Sequence, residues 1–580
     1  MHVKILLVIA ACFFGAVAPA SAFTPESEDT STASINVLSD KDATLYREIF
    51  DLQEGGNWKS ADKKIKALDN DILMGSVLYQ RYLHPTAYRS SYTELKKWMA
   101  FYADHPEASK IYKLALKRRP RRAASPVRPI PRKWRNPESF DLHPLLKADY
   151  AKKSRPRLNQ IEGRVRYLAR KEKATLALKE IKNHLNRRVI TERQYDRMRS
   201  WLAASLYYQG YVPTAKKLAN EVANRNGESA VLSHWIAGLI DFRENNITDS
   251  HQHFATMAAV PYQDDALRSA AGFWAARTGL VAGKAEAITS NLEIAAQYPF
   301  TFYGQLALAQ LGREHDYNWQ TPTLTSERFD ALTTAHPSVK RAIALNQAGQ
   351  TLQADLEFRW INGAIDDSFD YDLMAVAAAL NLPAAQIDIA LASNDDHLNA
   401  GLFPIPTYTP RNGFQTDRAL IYALMRQESK FKLDATSRVG ARGLMQLMPR
   451  TASYVAKDRS LRQRKGRDKL YDPSLNLQIG QTYVNQLITN HTNGDLFKMA
   501  VAYNGGPGNL RRWGKKMGIE DPLLFIESIP NPESRDFVEK VLTNVWVYRA
   551  RLGQPAPTRD KVAAGKLPLY EAIDQLAEPQ

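Results

Sequence analysis

Glu428 is the carboxylate whose position suggests chemistry. Leu420, Ile421, Leu424 and Met425 recur at helical spacing behind Asp417, a residue type that caps helix N-termini, so the stretch from Asp417 predicts an amphipathic helix. Continuing that apolar stripe places Glu428 at its end, near the helix C-terminus. Burial and the negative end of the helix dipole both disfavour the anion there, so both raise its pKa. A carboxyl kept protonated near neutral pH can serve as a general acid. The competing reading is a glutamate at the rim of a core, paired with Arg426 or Lys432. Downstream, Gly440 and Gly443 flank a turn, and Pro449 suits the first turn of the next helix.

Other chemistries find less support. Ser429-Lys430-Phe431-Lys432 satisfies the S-x-x-K pattern of serine acylases, but neither K-T-G nor S-D-N follows. His251 and His253 form an H-x-H with no neighbouring ligand to complete a metal set. No H-E-x-x-H, G-x-S-x-G, Walker A or dinucleotide fingerprint occurs. We therefore expect neither a metal nor a cofactor. Cys12 is the only cysteine and lies in the leader described below, so disulfides, thiolate metal sites and cysteine nucleophiles are not expected in the mature chain.

Three blocks together carry a resemblance. ALIYALMRQES with Ser437 and VGARGLMQLMPRTA, then AVAYNGGPGNL (500–510), then IPNPESRDFVEKVL (529–542) are similar, in this order, to the catalytic core of the soluble lytic transglycosylases. These are bacterial enzymes with a goose-type-lysozyme-like domain that cleave peptidoglycan. YPFTFYGQLALAQLG (298–312) is similar to a further F-Y-G segment of that family.

The resemblance implies a mechanism with one glutamate. Protonated Glu428 would cleave the bond between N-acetylmuramic acid and N-acetylglucosamine, then act as base while the C6 hydroxyl closes a 1,6-anhydro ring. It also implies supporting roles. Ser437 and Gln446 would bind the sugar and its N-acetyl group, Met448 would shape the floor, Tyr503 would orient Glu428, and Glu533 would bind or act electrostatically. Departures are Ser534 and Phe537, where the family often has Thr and Tyr, and an unusually basic stretch at 459–469. The expected partners are peptidoglycan strands and muropeptides. A muramidase hydrolysing the same bond, and a wall-binding helical scaffold without catalysis, are the alternatives.

The elements that must position these residues are helical. From Ala43 to Ala115, and again from Leu145 to Ala400, helical patterns follow one another without a convincing strand. Trp201, Trp235 and Trp274 open aromatic and alanine-rich segments at spacings of 34 and 39, which suits stacked helical hairpins. The prolines and charges of Lys117 to Arg135 argue for an extended basic linker, or a strip facing anionic wall or membrane surfaces. PIPTYTPRNG (404–413) marks the entry to the last domain. The expected fold is mainly α with a superhelix of helical hairpins, and the resemblance implies that this superhelix curves into a ring and is followed by a helical linker domain and a lysozyme-like catalytic domain. The expected divisions are 1–22, 23–330, 331–405, 406–555 and a tail at 556–580.

Lys4, the apolar run Ile5–Val17 and Ala20-Ser21-Ala22 read as a secretory signal cleaved after Ala22, which places the protein in the periplasm. With 580 residues the chain has ample length for several cores. Its net charge of +17 falls to +16 once Lys4 is removed. For an exported protein that charge favours anionic wall and lipid partners over nucleic acid.

Overall fold

The structure is a computed structural model that describes residues 34–131, 135, 155–261, 263–393 and 395–574. The expected signal segment 1–22 lies outside these residues. Among them, extended pairing is limited to isolated bridges, Thr436 with Arg442, Arg442 with Leu447, and Asp495 with Leu569. Everything else that is regular is helix.

Between residues 155 and 310 each helix packs on its successor, the arrangement in which a hairpin buries its apolar face only by stacking. Trp235 and Trp274 occupy that core edge to face, with ring centroids 6.3 Å apart. Trp201 differs: it is half-buried on Glu192–Gln209, and the guanidinium groups of Arg166 and Arg197 cover its ring.

The N-terminal helices pack on one another and also on a much later part of the chain. Tyr46, Phe50 and Val77 share one core with Val339, Phe358 and Leu373. Polar contacts fasten the same junction: Gln347 Oε1 accepts from the amides of Val37 and Leu38, each at 2.9 Å. Arg341 bridges Asp104 and the buried Glu357. The chain therefore returns on itself, and residues 331–405 complete a core begun by residues 38–77.

The basic segment is partly built into this junction. Helix Ala108–Arg118 runs through Lys117 and Arg118, so the helix ends two residues later than its basic composition suggests. Pro120 sets the end, because proline restricts the residue before it to extended geometry. Beyond it comes a turn in which the Ala123 amide donates to the Pro120 carbonyl at 3.0 Å; further on the Ile130 amide donates to the Ala103 carbonyl at 2.9 Å, and Arg135 pairs with Asp370.

The last domain seats against the helical stack over a broad contact. Phe302 stacks on Trp546, Tyr303 donates to Glu527 at 2.5 Å, and Arg277 pairs with Asp521. Tyr303 belongs to the F-Y-G segment, whose side chains thus hold the last domain.

Candidate active site

Glu428 sits next to the end of helix Arg418–Ser429, whose Leu420, Ile421, Leu424 and Met425 are buried. Lys430 ends that helix in the left-handed conformation. At the other end, Asp417 occupies the N-cap position without capping through its side chain. Its fully buried carboxylate instead accepts from Arg549 Nη2 at 2.7 Å and from the amides of Ile573 and Asp574. Asp574 answers by accepting from the Arg418 amide at 2.7 Å. The expected simple cap is therefore replaced by a clasp with residues that had read as a tail.

Neither cation considered for Glu428 reaches it. Arg426 donates to the Leu402 carbonyl and to Asn544 and lies over the Phe403 ring, while Lys432 pairs with Asp388. No ion pair or hydrogen bond to the Glu428 side chain is present among the described residues. Burial pushes its carboxyl up to about 8, and the negative charge of Glu533 adds to the shift. The second charge comes from a residue far away in sequence.

The cavity beside Glu428 measures about 220 Å³ and brings together Ser437, Gln446, Met448, Tyr503 and Glu533, all five of the other residues singled out by sequence. Val439, Ala441, Leu447, Thr451, Tyr483 and Asn504 complete its walls and had not been singled out as site residues. Asn504 stood inside the AVAYNGG block, which is the only sequence signal for it.

Each side chain is fixed so that a specific atom remains for a ligand. The Ser437 oxygen accepts from the Ala441 amide at 3.0 Å, which leaves its proton to donate outward. Gln446 spends its amide nitrogen on the carbonyls of Ala435 and Gly443, so its oxygen is the free acceptor. Gln446 has φ 46° and Gly443 φ 73°. A Cβ on Gly443 would lie 2.2 Å from the Leu470 carbonyl oxygen, so this turn requires glycine. Asn476 staples the same loop, accepting from the Met445 amide at 2.9 Å and donating to the Arg442 and Leu470 carbonyls.

Tyr503 lies on helix Leu496–Gly505 and donates its hydroxyl proton to the Met445 carbonyl at 2.8 Å. Burial and the nearby Glu428 charge hold its pKa well above the usual value. With its proton committed, the phenol can only accept from Glu428, so any contact between them requires a protonated carboxyl. Phe537 stacks on the Tyr503 ring at 6.1 Å, and Ser534 donates to Asn504 at 2.6 Å. The two departures from the family pattern thus pack behind the cavity wall. Glu533 is exposed in the first turn of Pro532–Arg551, where the helix dipole favours an anion.

A half-buried, unpaired carboxyl facing an open cleft with fixed donors and acceptors is chemically able to protonate a polar ligand. Residues 409–525 match the family described as the transglycosylase SLT domain. The soluble lytic murein transglycosylase of Salmonella typhimurium is 38% identical over 143 residues, which is 24% of this chain and 22% of the relative. The alignment therefore spans about a fifth of that relative's length.

Two solved structures extend the likeness of fold. The 70 kDa soluble lytic transglycosylase of Escherichia coli superposes with a TM-score of 0.54 at 18% identity, over 89% of this chain and 97% of that one. An inactive mutant of the lytic transglycosylase Slt from Pseudomonas aeruginosa gives 0.54 at 20% identity, over 90% and 88%. Residues 409–525 are thus similar to the transglycosylase SLT domain, and the fold around them resembles that of these two solved structures.

Proposed function

We propose that this protein is a peptidoglycan lytic transglycosylase that cleaves the β-1,4 bond between N-acetylmuramic acid and N-acetylglucosamine and releases 1,6-anhydromuropeptides. The observation that carries this reading is Glu428, protonated below about 8 and free of any cation, in the wall of the cleft. Its proton passes to the glycosidic oxygen as the bond from C1 breaks, and the muramic N-acetyl oxygen attacks C1. Glu428, now anionic, takes the proton of the C6 hydroxyl. O6 then displaces the acetamido oxygen, closing the anhydro ring without water.

Ser437 and the Gln446 oxygen are placed to hold the sugar and its N-acetyl group, and Tyr503 to accept from protonated Glu428. Glu533 contributes its charge, which keeps the proton on Glu428 before cleavage. The reaction so described requires no cofactor. Exo-action and a periplasmic location belong to the same reading, supported by the N-terminal helices closing onto residues 324–398 and by the signal-like start. No described helix is long and apolar enough to cross a membrane.

A hydrolytic reading has one observation in its favour: Glu533 lines the same cavity and would be its second carboxylate. Mass spectrometry of muropeptides released from purified sacculi separates the two. Products one water lighter than reducing muropeptides are expected, whereas reducing products would establish hydrolysis. No products at all would leave a wall-binding scaffold.

A further inference from the structure

A strongly basic stretch begins beside the cleft, just past Met448. Between Arg450 and Tyr471 stand eight lysines and arginines and only two acids, Asp458 and Asp468. Such a run is ordinarily a solvated, mobile loop. Here it is ordered. Short 3-10 turns occupy Arg459–Arg462 and Arg467–Tyr471, and Leu461 and Leu470 are inserted in the core. Asp458 accepts from the Ser460 amide at 2.8 Å, and Arg462 donates to Ser453 at 3.0 Å. Gly466 is buried where a Cβ would meet the Ser460 carbonyl oxygen at 2.0 Å.

The charges on this platform are left over. Arg450, Lys457, Arg459, Arg464 and Lys465 are exposed, and none makes an ion pair among the described residues. Asp468, one of the two acids, is engaged by Arg442 at 2.7 Å. Five unneutralised cations on fixed backbone repel one another, which favours an anionic occupant.

The platform is continuous with the catalytic cavity. Met448 and Thr451 line the cavity at the start of helix Pro449–Val455, and Tyr454 lies one turn beyond on the same side, 74% exposed. A strand leaving the cavity along this helix meets an aromatic face and then the cations. We infer that this platform is an extended substrate site, taking the carboxylates of the peptide stems on the glycan strand while Tyr454 stacks on a sugar ring. The inference rests on the proposed peptidoglycan substrate. Its location at the cleft favours the strand over a lipid surface.

The test uses the full chain carrying R459E, R464E and K465E together. On peptide-bearing glycan strands at low salt, KM rises about tenfold with kcat within twofold, and ~0.5 M salt abolishes the difference from the unaltered protein. On strands stripped of their peptides, KM is the same in both. Tyr454→Ala raises KM on both substrates. An equal change on both substrates in the charge variant, or no change on either, overturns the inference. So does a variant that loses binding to phosphatidylglycerol vesicles while its KM on strands is unchanged. Sedimentation with sacculi of the Glu428→Gln protein, with and without the three reversals, reads the platform without turnover. If the unaltered protein yields no anhydro products, the functional reading fails; if the reversals leave sedimentation intact, the platform fails.

Discussion

Glu357 and Glu428 are both withdrawn from water and have opposite fates. Glu357, on helix Thr351–Ile361 at the junction of the chain with its own N-terminal region, is held by Arg341, which also reaches Asp104. Burial pushes its carboxyl up while the guanidinium opposes the shift. Glu428 has burial and the neighbouring negative charge of Glu533, with nothing to oppose them. Burial alone thus decides little. A partner makes a buried carboxylate a fastener, and the lack of one beside an open cleft makes it an acid.

The largest effect expected from breaking this contrast is at Glu428 itself. Glu428→Gln keeps the shape and removes the transferable proton, so anhydromuropeptide release falls by more than about 10³-fold. Retained release, measured on sacculi, would remove Glu428 from the mechanism. The same substitution has a stability signature. A carboxyl whose folded pKa is raised from 4.5 to about 8 stabilises the fold below its unfolded value, and that contribution is lost as pH rises through 8. Glu428→Gln is therefore more stable than the unaltered protein at pH 9, by about 5 kcal/mol, and nearly equal to it at pH 4, as denaturant titration would read.

Arg341→Met converts the fastener into a second unpaired carboxyl. Unfolding costs about 3 kcal/mol less at neutral pH, and lowering the pH restores part of the loss as Glu357 takes up a proton. Turnover by the folded fraction stays within twofold. Loss of turnover without loss of stability would mean that the junction acts on the cleft.

Glu533→Gln has a smaller effect. It removes the charge that helps hold the Glu428 proton, so the alkaline limb of kcat/KM, expected near 8, moves to lower pH. An unmoved limb would leave burial as the sole cause. Smallest is Asp574→Ala, which opens one side of the clasp at the start of the glutamate helix. A severalfold loss of kcat and a lower Tm are expected, with KM unchanged, and recovery by Asp574→Glu would point to positioning.

What was legible in the sequence is what short-range pattern determines. The stripe ending on Glu428 predicted its helix, its burial and the direction of its pKa, because all follow from spacing within twelve residues. Blocks of similar sequence indicated which distant residues share the cleft, and Ser437, Gln446, Met448, Tyr503 and Glu533 do line it with Glu428. Their hydrogen bonds were beyond reach: the Tyr503 hydroxyl goes to Met445, and the Gln446 nitrogen to Ala435 and Gly443, through turns that spacing does not specify. Long-range pairing was equally hidden. Nothing in the order of helices says that Tyr46 packs with Val339 and Phe358, or that Asp417 serves the end of the chain rather than its own helix. The basic run at 459–469 was visible as composition only; its order depends on two leucines finding the core.

The clasp also bears on the order in which the cleft is assembled. Asp417 waits for an amide 157 residues further along, and the same closing segment meets the helix of Tyr503, where the Leu496 amide donates to the Pro568 carbonyl and the Asp495–Leu569 bridge forms. A chain emerging from the ribosome has Glu428 out long before these contacts can form. The cleft is then completed only after residues 568–574 have followed the glutamate helix into place.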